Sequence, residues 1–170
     1  WLVNPASASS DVAVLYRTAT GLVLNKYSAT GSLLTTASVA SDMSSSRDSA
    51  MDIVISNGQV YVQASKTSYV GRVYRIDLAA TTATQIAEVS YGPVTDPQLN
   101  LLANGNLLLT SSGKTTSYVQ DMISNPAAAT PTVTRTTSTF GSASYTTQTA
   151  ALADGGYVAV GGNGTTWELR

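Results

Sequence analysis

Three stretches of the chain share one pattern of apolar and polar positions: an apolar run, a short Asx/Gly break, and a second apolar run. They are residues 53–62, broken at Asn57 and Gly58; residues 99–109, broken at Asn104 and Gly105; and residues 150–160, broken at Asp154 and Gly155. Asn-Gly or Asp-Gly between apolar runs is the strongest short-range signal of a β-hairpin. Because Asn, Asp and Gly tolerate positive φ, the pattern predicts tight turns of the primed type. The breaks begin at 57, 104 and 154, spacings of 47 and 50 residues.

A strand with an aromatic follows each hairpin, at Tyr74, Tyr118 and Trp167, and projection backwards gives Tyr27. These landmarks are separated by 47, 44 and 49 residues. On this alignment the aromatics share one repeat position, which predicts packing between neighbouring units. Asp77 and Asp121 then share another, where a carboxylate accepts turn amides. A fourth, Thr-rich strand is predicted at 32–39, 84–89 and 131–137. In the first unit, an inner strand is expected near residues 2–3 and a second strand at 11–16, without an Asn-Gly turn between them.

Four short strands per 40 to 50 residues is the pattern of propeller blades. The expectation is an all-β fold: a β-propeller-like array of about four four-stranded antiparallel blades, the last incomplete. Residues 1–170 form a single propeller domain or fragment, with units at about 1–40, 41–90, 91–140 and 141–170. The last unit's missing strand comes from the N-terminal strand, from a larger ring, or from a second copy. The inner strands 53–55, 99–102 and 150–152 are expected to be the most buried, and Glu88 and Arg135 to guard the outer edges against pairing. No stretch sustains the 3.6-residue period of a helix.

Composition narrows the function classes. Charged residues are only 11% of the chain and the formal net charge is −1, so neither nucleic acid nor an anionic membrane surface is expected as a partner. The absence of Cys and His removes thiol nucleophiles, disulfides, the usual zinc sites and any His-based triad. Apolar runs are too short for a transmembrane helix, so no membrane insertion is expected. Many Ser and Thr with few Lys resemble the make-up of secreted bacterial proteins.

Residues 147–158, which include Ala151, Leu152, Ala153, Asp154, Gly155, Gly156, Tyr157 and Val158, resemble the "ALADGGYV" hairpin in repeats of secreted bacterial β-propeller and adhesin-like surface proteins. Residues 26–33 resemble the strand and turn that follow in such repeats. The resemblance implies an extracellular or cell-surface setting, with adhesion or scaffolding as the role.

Candidate chemistry is sparse. Asp42, Asp48 and Asp52 lie close together in sequence, but without the spacing of a calcium loop; a solvated link, with Arg47 beside Asp48, is the expectation. No Gly-x-Ser-x-Gly elbow occurs, and residues 161–164 are not a phosphate loop. Tyr69, Tyr91 and Tyr145 fall in links, where exposed aromatics stack on sugars or anchor protein partners, so they are the candidate binding residues. The loop segments 41–50, 63–70, 90–97 and 138–147 would carry the site. The leading expectation is a non-enzymatic module, without cofactor or metal, that binds glycan or protein. The alternatives are a self-associating subunit that completes its last blade from another copy, and a carboxylate-only hydrolase.

Overall fold

The computed structural model describes residues 11–42, 49–56, 58–66, 70–90, 98–112, 117–139, 145–162 and 167–169. The described chain is all β. Its strands are β1 (Val12–Thr18), β2 (Gly21–Tyr27), β3 (Leu33–Ala40), β4 (Ser49–Ser56), β5 (Gln59–Lys66), β6 (Val70–Asp77), β7 (Thr82–Ser90), β8 (Gln98–Leu101), β9 (Leu107–Ser112), β10 (Ser117–Ser124), β11 (Thr132–Thr139), β12 (Tyr145–Ala151), β13 (Tyr157–Gly162) and β14 (Trp167–Leu169). They form four antiparallel meanders in chain order: β1-β2-β3, β4-β5-β6-β7, β8-β9-β10-β11 and β12-β13-β14. The expected strands at 11–16, 32–39, 84–89 and 131–137 lie in β1, β3, β7 and β11. The inner strand expected near residues 2–3 lies outside the described residues.

Consecutive sheets pack face to face. Leu22, Leu24, Ala37 and Val39 of the first sheet share a core with Val60, Val62, Tyr74 and Ile76 of the second. Tyr61, Val73 and Ile86 on the second sheet's other face share a core with Leu99, Leu107, Leu109 and Ile123 of the third. Because successive side chains on a strand point to opposite faces, β5 supplies Val60 and Val62 to one core and Tyr61 to the next. β8 lies beside both β4 and β12, so first strands adjoin from sheet to sheet.

The joint between the third and fourth sheets is more polar. Tyr157 Oη donates to Gln120 Oε1 at 2.8 Å, and Thr149 Oγ1 donates to Thr110 Oγ1 at 3.3 Å. A side-chain oxygen also bridges successive first strands. Asp52 Oδ2 accepts from Leu99 N at 3.0 Å, and Gln98 Oε1 accepts from Thr149 N at 3.2 Å. Asp52 faces Gln63, while Gln98 and Leu99 face Thr110 and Leu109. The two bridges therefore leave from equivalent positions in neighbouring sheets.

The structure corrects three expectations. The turns at 104–105 and 154–155 are three-residue loops, not primed two-residue turns. In each, a Leu exchanges backbone hydrogen bonds across the loop (Leu102 with Gly105 and Asn106, Leu152 with Gly155 and Gly156), and only the Gly takes positive φ, +83° at Gly105 and +89° at Gly155. Asn104 Oδ1 and Asp154 Oδ1 accept from the amides two residues on, at 3.1 and 2.9 Å, which holds these residues in an Asx turn without a left-handed backbone. Asn57 of the first such break lies outside the described residues.

The strand pairing also moves the aromatic landmark. Val60 pairs with Ile76 and Leu107 pairs with Ile123, so alignment on Gly58 and Gly105 makes Tyr74 the counterpart of Asp121, not of Tyr118. Asp77 caps the turn after β6 as expected, accepting from Ala79 and Ala80 amides at 2.8 and 3.2 Å. Asp121 instead lies within β10, buried, and binds Arg135 through both carboxylate oxygens at 2.9 and 3.0 Å.

The predicted burial order also changes. Leu99 and Leu102 are buried, but Ala150 is exposed and Leu152 is 42% exposed. The most deeply buried strands are β5 and β9, the second strands of the two four-stranded sheets, which have a strand on either side and a sheet over each face. Glu88 and Arg135 stand exposed on the edge strands β7 and β11. Each is held in an ion pair by a neighbouring strand, Glu88 by Arg72 at 2.8 Å and Arg135 by Asp121.

Candidate functional site

Among the described residues, a cleft of about 960 Å³ lies at the turn end of the second and third sheets. One wall is the face of the second sheet that carries Tyr61, Arg75, Asp77, Thr82 and Thr84. The registers explain the grouping: Tyr61 faces Arg75, which faces Thr84, and Gln59 faces Asp77, which faces Thr82. The other wall consists of two turns of the third sheet, Asn104 to Asn106 and Asn125 to Ala128.

Arg75 ties the walls together. Its Nη1 donates to the carbonyl oxygens of Pro126 at 3.1 Å and Ala128 at 2.7 Å. Asn125, left-handed at φ 52°, shapes that turn, and its carbonyl accepts from Ala128 N at 2.9 Å. Tyr61 is 2% exposed and forms part of the floor; burial raises its hydroxyl pKa, and the Arg75 charge opposes the shift.

Asn104 and Asn106 of that wall have fixed orientations. Asn104 Oδ1 accepts from Asn106 N at 3.1 Å, and Asn106 Oδ1 accepts from Asn125 N at 3.3 Å. A backbone N–H can only donate, so each amide oxygen is identified by its partner and each NH2 points away from it. Asp77 uses Oδ1 for the turn amides, leaving Oδ2 as a carboxylate acceptor.

Of the sequence candidates, Tyr69 and Tyr91 lie outside the described residues. Tyr145 is placed as the first residue of β12, paired with Gly162. Of the candidate segments 63–70 and 90–97, the described residues 63–66, 70 and 90 lie at the strand ends away from the cleft, which is walled by a sheet face and two turns. Sequence reasoning assigned those turns a purely structural role. The signal was present: polar amides and hydroxyls recur at every hairpin end, although turn chemistry alone accounts for them.

Of the acidic residues before the second unit, Asp42 and Asp52 go to different partners. Asp42 binds Arg72 and holds its guanidinium pKa above the ordinary range, while Arg72 also pairs with Glu88. Asp52 belongs to β4 rather than to a solvated link. Burial raises its pKa, and the amides of Leu99 and Ile53 oppose that rise. Asp48 and Arg47 lie outside the described residues. Among the described residues, no three metal-ligating side chains gather, and no helix is long and apolar enough to cross a membrane.

Scanned against models of known protein families and against curated proteins, the chain matches none.

Proposed function

We propose that this chain is a non-enzymatic binding or scaffold module of an exported bacterial surface protein, and that its cleft between the second and third sheets receives glycan or protein. In this reading the four meanders are blades of a β-propeller-like array. Their order along the chain, their face-to-face packing and the adjoining first strands support it. The resemblance of residues 147–158 to surface-protein repeats supports the extracellular setting.

One observation carries the binding reading: the cleft is polar, preformed by a face of the second sheet and two turns of the third, and locked by Arg75 on the Pro126 and Ala128 carbonyls. Preorganised concave sites with a few oriented polar groups are where ligands bind. Hydrolysis by carboxylates alone requires a pair of them, and among the described residues lining the cleft Asp77 is the only carboxylate.

The test is binding of labelled protein to arrayed glycans and extracellular proteins, with Thr84→Trp as the control. Thr84 is exposed and lines the cleft, so Trp fills the cleft without entering a core. Ligand captured by the native chain, lost with Thr84→Trp and recovered chemically unchanged supports the proposal. Equal capture by both proteins, or turnover of the ligand, contradicts it.

A second reading is self-association through the last sheet. The observation in its favour is Leu169, 74% exposed on β14, with Leu152 and Ala150 also exposed in that sheet. Sedimentation velocity over a concentration series decides it: a growing dimer or polymer fraction supports it, and monomer throughout rejects it.

A further inference from the structure

We infer that the cleft takes a neutral, hydroxyl-rich saccharide, with the Asn106 amide as a donor and the Asp77 carboxylate as an acceptor to vicinal hydroxyls. This rests on the binding-module reading and narrows it to one ligand class. The lining carries one cation, Arg75, and one carboxylate, Asp77, so its charges cancel. Arg75 also spends Nη1 on two carbonyl oxygens of the chain itself. An anionic ligand would therefore meet Asp77 with little net positive charge to offset it.

The remaining groups match hydroxyls. A sugar hydroxyl both donates and accepts, so a row of them needs donors and acceptors side by side. Asn106 has its oxygen committed to a backbone amide, which leaves its NH2 as a donor, while the Asn104 NH2 lies beside Gly155 of the fourth sheet. Asp77 Oδ2 is an acceptor, and its hydrogen bond to a hydroxyl is charge-assisted. Thr82, Thr84 and Ser56 add hydroxyls that serve in either sense. A peptide ligand fits less well, because specificity for side chains requires apolar pockets. The apolar lining here is Ala127, Ala128, buried Pro126 and the nearly buried Tyr61.

The test uses the full chain, a printed array of neutral and acidic saccharides with an array of extended peptides beside it, and titration calorimetry on the hits. Two variants isolate the polar groups while keeping the turns. In Asn106→Asp, one oxygen still accepts from Asn125 N and the outward donor becomes an acceptor. In Asp77→Asn, the amide oxygen still accepts from Ala79 and Ala80, and the charge is lost. The expected result is a neutral saccharide hit whose affinity falls at least about tenfold in each variant, the thermal midpoint staying within about 2 °C of the native chain. Preference for acidic saccharides, no saccharide hit, or a neutral hit that both variants retain overturns the inference. A peptide hit blocked by Thr84→Trp also overturns it, while leaving the broader binding-module reading in place.

Discussion

Asp52 and Leu99, far apart in sequence, are joined by a hydrogen bond of 3.0 Å from the Leu99 amide to the Asp52 carboxylate. The same carboxylate accepts from Ile53 N at 2.8 Å, so it caps an amide of its own strand and one of the next sheet's first strand. One sheet further along, Gln98 and Thr149 repeat the connection. A side-chain oxygen at one repeat position thus links neighbouring sheets where their first strands adjoin.

Loss of this bridge is expected to destabilise the chain. Asp52→Ala leaves two strand amides short of a partner and should cost roughly 1–3 kcal/mol, read from urea unfolding. Gln98→Ala removes a single acceptor and should cost less. Equal stability of native and Asp52→Ala proteins would show that the bridge contributes nothing.

The titration of Asp52 gives a pH signature. Burial raises its folded pKa above the ordinary 3.8, so between these two values the folded chain binds the proton more tightly than the unfolded one. Asp52 therefore contributes stability that is fully present below its unfolded pKa and is lost as pH rises through the folded value. Relative to Asp52→Asn, the native protein should lose stability with rising pH above about 3.8 and then run parallel. Parallel profiles across the whole range would contradict the assignment.

Asp121 and Arg135 form a pair in which the carboxylate is buried and the guanidinium half exposed. Arg135→Ala strands a buried charge and is expected to cost about 3 kcal/mol, whereas replacing both partners by Leu and Thr should recover much of that loss. Tyr74 at the equivalent place in the preceding sheet shows that the repeat accommodates a largely apolar side chain there. Chemical denaturation of the single and double variants checks this; a double variant no more stable than Arg135→Ala would contradict it.

Gly21 follows the tight turn between β1 and β2 with φ +140°, and a Cβ there would overlap the Ala40 carbonyl oxygen. Gly21→Ala should destabilise by about 3 kcal/mol or more, because both the backbone and the adjoining strand must move. Gly31→Ala, with φ +84° but open space around it, should cost only about 1 kcal/mol. Thermal unfolding of the two variants should keep that order.

The alternation of apolar residues and the Asx/Gly breaks made the hairpins legible, because both arise from local backbone preference. The Thr-rich fourth strands were legible for the same reason. The register of Tyr74 against Asp121 was not, because it is set by pairing with the second strand, and the aromatic at Tyr118 offered a false match three residues away. The exposure of Ala150 and Leu152 was also hidden, since burial depends on what lies across a face rather than on the strand's own residues. The cleft was missed for a related reason: Arg75 and Asn106 are ordinary strand and turn residues until sheet packing brings them to opposite walls.

The cleft exists only if the second and third sheets meet as described, so the packing order is the claim to test most directly. Isotope-edited NOESY spectra of the labelled chain measure it. The account predicts cross-peaks from the Leu99 amide to the Asp52 β-protons and from the Thr149 amide to the Gln98 γ-protons. If neither appears and the Leu99 amide reports instead on residues of the first sheet, the order of stacking, and the cleft with it, is wrong.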